Sequence, residues 1–308
     1  MKKTLIALAV AGFTAAPAMA QVTMYGNLET GILNTDTDGK ASTTKLDSNI
    51  VNSSRLGFRG TEDMGGGLKA FFRLETSMDA EAGKGIDSFN RGSEVGLSGS
   101  FGAVKVGKFD ITGAEGIDSA VSLIGNIGNA SGIDIGSDIN HAVQYKSPKI
   151  GNFEVQVGTA LSDGGVNETM SFYVGGTVSK VKVAFGSTTD KDSKGVERTA
   201  TTMGAQYDFG PVAASVYYGV READNAGDVT HTIMTASAPL GSGLAVHGMI
   251  GSIESDAFGT KAASETDEMA IALSKAFSKR TTGYLGYISS DKDGTETNQI
   301  YLAVNHKF

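Results

Sequence analysis

Between Ser53 and Glu75 the chain reads SSRLGFRGTEDMGGGLKAFFRLE, and apolar and basic side chains alternate there almost residue by residue. Leu56 and Phe58 share one parity, while Arg55, Gly57 and Arg59 share the other. Successive side chains of a strand point to opposite faces, so this segment is expected to fold as a strand with one greasy face and one basic face. An acidic, glycine-rich turn from Glu62 to Gly67 follows. The pattern then resumes, with Leu68, Ala70, Phe72 and Leu74 on one side and Lys69, Phe71, Arg73 and Glu75 on the other. A soluble sheet resting on a core produces the same alternation. What separates that case from a sheet whose apolar face meets lipid is the organisation of the whole chain.

Period-two segments recur to the C-terminus and number sixteen. They start near Val22, Ser48, Gly66, Ser88, Gly102, His141, Gly151, Glu168, Lys180, Thr199, Val212, Val229, Ser242, Ser264, Lys279 and Glu296. Short turns such as GTEDMGGG, SGSFG and APLGSG alternate with longer links rich in Asp, Asn, Gly, Ser and Thr. A β-sandwich mixes hairpins and long crossovers at both ends. An even strand count with alternating link lengths instead predicts an all-β, 16-stranded antiparallel transmembrane barrel, with short turns on one side and longer loops on the other. A ring of that size encloses water rather than a packed core.

The N-terminus fits export. Residues 1–20, MKKTLIALAVAGFTAAPAMA, place Lys2 and Lys3 before an apolar stretch and end in Ala18, Met19, Ala20. This pattern is read as a secretory signal peptide, with residues 21–308 forming a single barrel domain. Removing the two lysines takes the formal charge from −8 to −10. The chain has no cysteine, which excludes disulfides, thiolate metal sites and a cysteine nucleophile. Only 40 % of residues are hydrophobic, yet a spanning strand needs about ten residues with half of them apolar, so average hydropathy does not register a barrel. The outward parity gathers Phe58, Phe72, Tyr145, Phe153, Phe172, Phe185, Tyr207, Phe209, Tyr218 and Phe308. Those near strand ends are suited to interfacial aromatic girdles.

The run SRLGFRGTEDMGGGLKAFFRLE resembles the second strand, periplasmic turn and third strand of the Gram-negative general porins, particularly their proteobacterial branch. VTMYGNLETGI at Val22–Ile32, VGLSGSFGAVKVGKFD at Val95–Asp110 and the terminal NHKF match the same family in order. The resemblance implies an outer-membrane porin, a water-filled channel for passive diffusion of ions and small hydrophilic solutes. It also implies assembly as a homotrimer among outer-membrane lipid and lipopolysaccharide. No cofactor, metal or nucleic-acid partner is expected.

The link Asp110–Asn140 holds Asp110, Glu115, Asp118, Asp134 and Asp138 and neither Lys nor Arg. Loops of that length are usually either functional or disordered. In the porins the loop after the fifth strand folds inward and narrows the channel, and the resemblance puts this segment there, with Asp110, Glu115 and Asp118 as its acidic groups. Opposite it the family carries a basic ladder. Arg55 matches a ladder arginine, and its parity points it inward. Arg59, Lys69 and Arg73 share that parity, and Lys146, next to Tyr145, resembles another ladder position. Lys108 in VGKF replaces a family arginine, but it shares a face with Val104 and Val106, so it lines the pore only where the strand end is bulged. Asn27 stands where some relatives carry lysine. The terminal Phe308 resembles the signal read by the barrel-insertion machinery, with His306 where many members have an aromatic.

Opposed acidic and basic rows across a narrow neck orient water and dipolar solutes, which favours hydrophilic solutes without any catalyst. An outer-membrane barrel enzyme is the rival from another class. His141, His231, His247 and His306 show no paired spacing, and no HExxH or GxSxG frame is present. The Asp-rich DTDG and DKDG segments have a composition that Ca2+ loops share, but they read first as solvated turns. A substrate-specific channel remains an open alternative, because such selectivity resides in a few loop residues.

Overall fold

The computed structural model describes residues 21–85, 87–111, 113, 138–161, 168–191, 195–224, 226–257 and 262–308. The proposed leader, residues 1–20, lies outside them.

The described residues form seventeen strands of one sheet. In order they are β1 (Gln21–Thr37), β2 (Thr43–Asp47), β3 (Arg55–Gly65), β4 (Leu68–Ser77), β5 (Gly92–Gly99), β6 (Gly102–Phe109), β7 (Ile139–Lys146), β8 (Phe153–Ala160) and β9 (Thr169–Val178). They continue with β10 (Val181–Lys191), β11 (Glu197–Asp208), β12 (Ala213–Ala223), β13 (Ala226–Gly241), β14 (Leu244–Ser255), β15 (Ser264–Ala276), β16 (Thr281–Lys292) and β17 (Thr295–Lys307). Every strand from β3 onward pairs antiparallel with its successor, and β17 returns to β1 through Asn27↔Lys307 to Thr37↔Thr297. Setting β2 aside, seventeen less one leaves sixteen strands closed into a ring. Among the described residues each of these sixteen strands has an antiparallel partner on both sides, which is the condition for strands to cross a hydrocarbon layer.

The five-residue strand β2 is the addition that periodicity did not forecast. β3 begins only at Arg55 and pairs with Gln21–Asn27 of β1. The remainder of that edge of β1 is taken by β2, through Gly31↔Asp47 to Thr35↔Thr43. The strand expected from Ser48 therefore starts at Arg55, and residues 48–54 fold against β1. Glu29, fully buried, accepts hydrogen bonds from Val51 N at 2.6 Å, Asn52 N at 2.9 Å and Asn52 Nδ2 at 2.9 Å.

The alternation of long and short links also relaxes in the second half. β12 and β13 are separated only by residues 224–225, and β16 and β17 only by residues 293–294. The strands there run farther than the polar composition of their ends suggested, because cross-strand pairing continues beyond the apolar belt, as in Asp291↔Glu296.

Cross-strand partners share a face, so register assigns every side chain. Met24, Phe58, Leu74 and Ser93 form one exterior row, and Tyr25, Gly57, Glu75 and Gly92 an interior one. The exterior is apolar and open on this single chain: Met24 is 58 % exposed, Ile271 55 % and Leu302 57 %. Each such side chain left in water forgoes roughly 1.5–3 kcal/mol, so a continuous belt of them needs an apolar surrounding. The interior is more mixed than expected. Leu33, Val51, Tyr173, Tyr217, Ile233, Met249 and Tyr301 form a buried apolar cluster inside the ring.

Candidate functional site

The interior face of β3–β6 gathers the basic side chains. Register places Arg55, Arg59, Lys69 and Arg73 on it: Arg55↔Asn27, Arg59↔Thr23 and Arg73 across from both Arg59 and Glu94. Lys69 shares the row of Arg73, near the short-turn end.

Arg59 and Arg73 are like charges in direct register, an arrangement that costs stability unless each finds another partner. Both do. The Arg59 guanidinium lies 5.0 Å from the centre of the Tyr25 ring, a favourable cation–π placement. Arg73 Nε donates to Glu94 Oε1 at 3.0 Å, and its Nη1 lies 3.5 Å from Glu75 Oε2.

Glu75 is the hub. Its carboxylate accepts from Tyr25 Oη at 2.7 Å and from Arg91 Nε at 3.0 Å, and Arg55 Nη1 approaches to 3.9 Å. Tyr25 reaches it by lying flat over Gly57, where a Cβ would stand 2.5 Å from Tyr25 Cζ. On the adjacent strand Glu94 acts in the same way, accepting from Lys105 Nζ at 3.0 Å. Lys105 Nζ also sits 3.8 Å from the centre of the Phe109 ring. Four cations, Arg55, Arg73, Arg91 and Lys105, thus share two carboxylates, an excess of two positive charges. The carboxylates lie underneath, with side chains 5 % and 8 % exposed, whereas Arg55 is 37 % exposed and Arg73 28 %. The charge presented to the interior is therefore positive.

Arg91, Lys105, Glu94 and Tyr25 were missed as site residues from sequence. Lys105 was within reach, since its parity in GAVKVGKF is opposite to that of Val104 and Val106. Arg91 precedes β5 in a link, where no periodicity locates it.

The assignment of Lys108 to the interior is corrected by the register. Lys108 pairs with Ser93, in the row of Val106↔Val95, on the exterior. A bulge is present, between Gly107 and Phe109 in the pairing with β7, with Gly107 at φ +139°. It does not move Lys108 inward; Phe109 stays buried on the interior row with Lys105 over its ring. Lys108 Nζ instead donates to the Asp138 carbonyl, and Asp138 N donates to Asp110 Oδ1 at 2.7 Å. Lys108 and Asp110 thus clasp the two ends of the link after the fifth spanning strand. Lys146 is interior, across from Ala103 and Gln156, and pairs with Glu154 at 2.8 Å.

The first residues of that link enter the ring. Ile111 is fully buried and packs on Gly158, and Gly113 packs on Ser171 and Thr188, all of them interior positions. Glu115 and Asp118 lie outside the described residues. Phe308 pairs with Gly26 through two backbone hydrogen bonds, of 3.2 and 3.1 Å, and completes the β1–β17 seam.

Among the described residues no group of three or more His, Cys, Asp or Glu is placed to hold a metal. His247 bridges Ser237 and Ser274 without a carboxylate partner in that bridge.

Comparison with known proteins agrees with this geometry. A family model described as Gram-negative porin matches residues 7–295. Outer membrane porin protein 32 of Delftia acidovorans is 34 % identical over 270 residues, which is 78 % of this chain and 77 % of that protein. The major outer membrane protein P.IB of Neisseria gonorrhoeae is 36 % identical over 185 residues, covering 57 % of this chain and 53 % of its own length. Among solved structures, an anion-selective porin from Comamonas acidovorans superposes with a TM-score of 0.82 at 24 % identity, over 94 % of this chain and 100 % of that one. The trimer form of OmpT from Vibrio cholerae gives 0.73 at 17 % identity, over 94 % and 99 %. The apolar exterior, the closed ring and the polar interior wall are what a membrane channel requires, and with these matches they place the chain in the Gram-negative porin family, outer-membrane β-barrels that act as non-enzymatic channels for passive diffusion.

Proposed function

We propose that the basic wall of β3–β6 sets which solutes this porin passes, and that it favours small hydrophilic anions. The observation that carries this reading is the layering of the site: Glu75 and Glu94 lie beneath Arg55, Arg73, Arg91 and Lys105, so the face offered to a passing solute is cationic. A unit charge about 4 Å from a permeating ion is worth about 1–4 kcal/mol between bulk water and a protein-lined neck, enough to dominate the choice of ion. The net charge of −8 on the whole chain does not oppose this, because charges beyond about 8–10 Å are screened at physiological salt. A structural neighbour described as anion-selective accords with the reading.

In the same reading, the link Asp110–Asn140, whose Ile111 and Gly113 lie inside the ring, forms the constriction, with Asp110, Glu115 and Asp118 as its acidic groups. The twenty N-terminal residues are a leader removed on export. The mature barrels assemble as homotrimers, as one structural neighbour does, in contact with lipopolysaccharide, and Phe308 serves as the assembly signal. The test is replacement of Glu115 or Asp118 by Lys. Reversal potentials in a salt gradient are expected to move toward anions by more than they do for Asp36→Lys, a control near the loop end of β1. Equal shifts for both positions would contradict the constriction.

A further inference from the structure

A second cationic feature lies on the interior away from the basic wall. Ala200 pairs with Thr188 on one side and Arg221 on the other, and Arg198 pairs with Asp190 and Ala223. Arg198 and Arg221 are therefore diagonal neighbours on one face of β11 and β12, within reach of each other's long side chains. Ala200 in the same row is fully buried inside the ring, which fixes that face as the interior one.

The two guanidinium groups differ in their partners. Arg198 forks onto Asp190, with Nε donating to Oδ1 at 2.9 Å and Nη2 to Oδ2. That bidentate pairing occupies Asp190. Arg221 Nε is shut off from solvent without an acceptor among the described residues. A buried charged donor left unpaired is costly, and a like charge on the next strand adds to the cost. Two cations and one carboxylate leave room for one more oxyanion.

We propose that Arg221 and Arg198 form an oxyanion-binding station at the end of the interior remote from the short turns, where carboxylate- or phosphate-bearing solutes dwell before or after crossing the basic wall. The chemistry follows from the fork: a planar guanidinium with free N–H groups prefers a partner with two oxygens over a spherical ion. The interior position points to a solute in transit rather than a lipid headgroup as the source of that oxyanion. The inference rests on the channel reading but not on the selectivity assigned to Arg55 and its neighbours.

The experiment uses the full barrel in planar bilayers, with inorganic phosphate titrated against a chloride current. Phosphate is expected to depress the chloride conductance saturably in the parent. Arg221→Gln is expected to raise the half-blocking concentration roughly tenfold, the weight of one charge-assisted hydrogen bond. Asp190→Asn frees the Arg198 fork and is expected to lower that concentration, and it remains informative if the Arg221 variant assembles poorly. Glu268→Gln removes an equal charge from the interior face of β15 and is expected to leave it unchanged. An unaltered value in Arg221→Gln, or equal effects of Asp190→Asn and Glu268→Gln, would overturn the station. Absence of any chloride current in the parent would instead overturn the channel reading beneath it.

Discussion

Glu75 shows how one side chain decides what its neighbours present. Its oxygens hold Tyr25, Arg91, Arg55 and Arg73 while remaining almost wholly covered themselves. Glu75→Gln is expected to increase anion over cation permeability, since it removes the negative charge beneath the arginines and keeps the volume. Bonds to a charged group are worth about 1.5–3 kcal/mol, and the partial exposure of the arginines brings this toward the lower figure, so a drop in the unfolding temperature is expected as well. An unchanged reversal potential would mean that the carboxylate is not coupled to the pore. At this scale the sequence was partly legible. The inward parity of Arg55, Arg73 and Glu75 could be read directly, but the role of Glu75 as hub depends on Arg91 and Glu94, which arrive from β5 and the link before it.

At the scale of strands, parity located faces correctly wherever one face was uniformly apolar, as in β3 and β4. It was less informative where both faces carry apolar groups. Leu33 and Tyr301 are interior and buried, and nothing in their alternation marks them off from the lipid-facing Ile32 and Leu302. β2 was invisible because TTKLD has no alternation, and it exists to cover an edge that β1 leaves open. The β6 register yields a direct test. Lys105→Gln is expected to shift selectivity toward cations, whereas Lys108→Gln, on the exterior row, is expected to leave it near the parent value. The reverse order in reversal-potential measurements would mean that the strand is misregistered by one residue, since such a slip exchanges the faces. The last strand supplies another. Phe308 closes the seam on Gly26, and its deletion is expected to lower outer-membrane yield with protein retained in the periplasm. Full surface yield at several growth temperatures would remove the assembly role.

The whole molecule combines a lipid-facing belt, a ring of sixteen paired strands and an interior of uneven charge. Closure and the belt follow from alternation and strand number, which is why the fold class could be inferred early. The proposed trimer would depend on contacts between chains and is tested separately: a heat-sensitive species near three times the mature mass is expected on native gels, and a persistent monomer in mild detergent would contradict it. The central claim is that the positive layer over Glu75 and Glu94 governs permeation, and one measurement addresses it most directly. Purified protein in planar bilayers across a salt gradient is expected to give steady channels whose reversal potential favours anions. Arg55→Glu, which exchanges a half-exposed cation for an anion on that wall, is expected to move the potential toward cations by many millivolts, and more so at low salt. A potential that does not move in Arg55→Glu, or a parent channel that already prefers cations, would contradict the account.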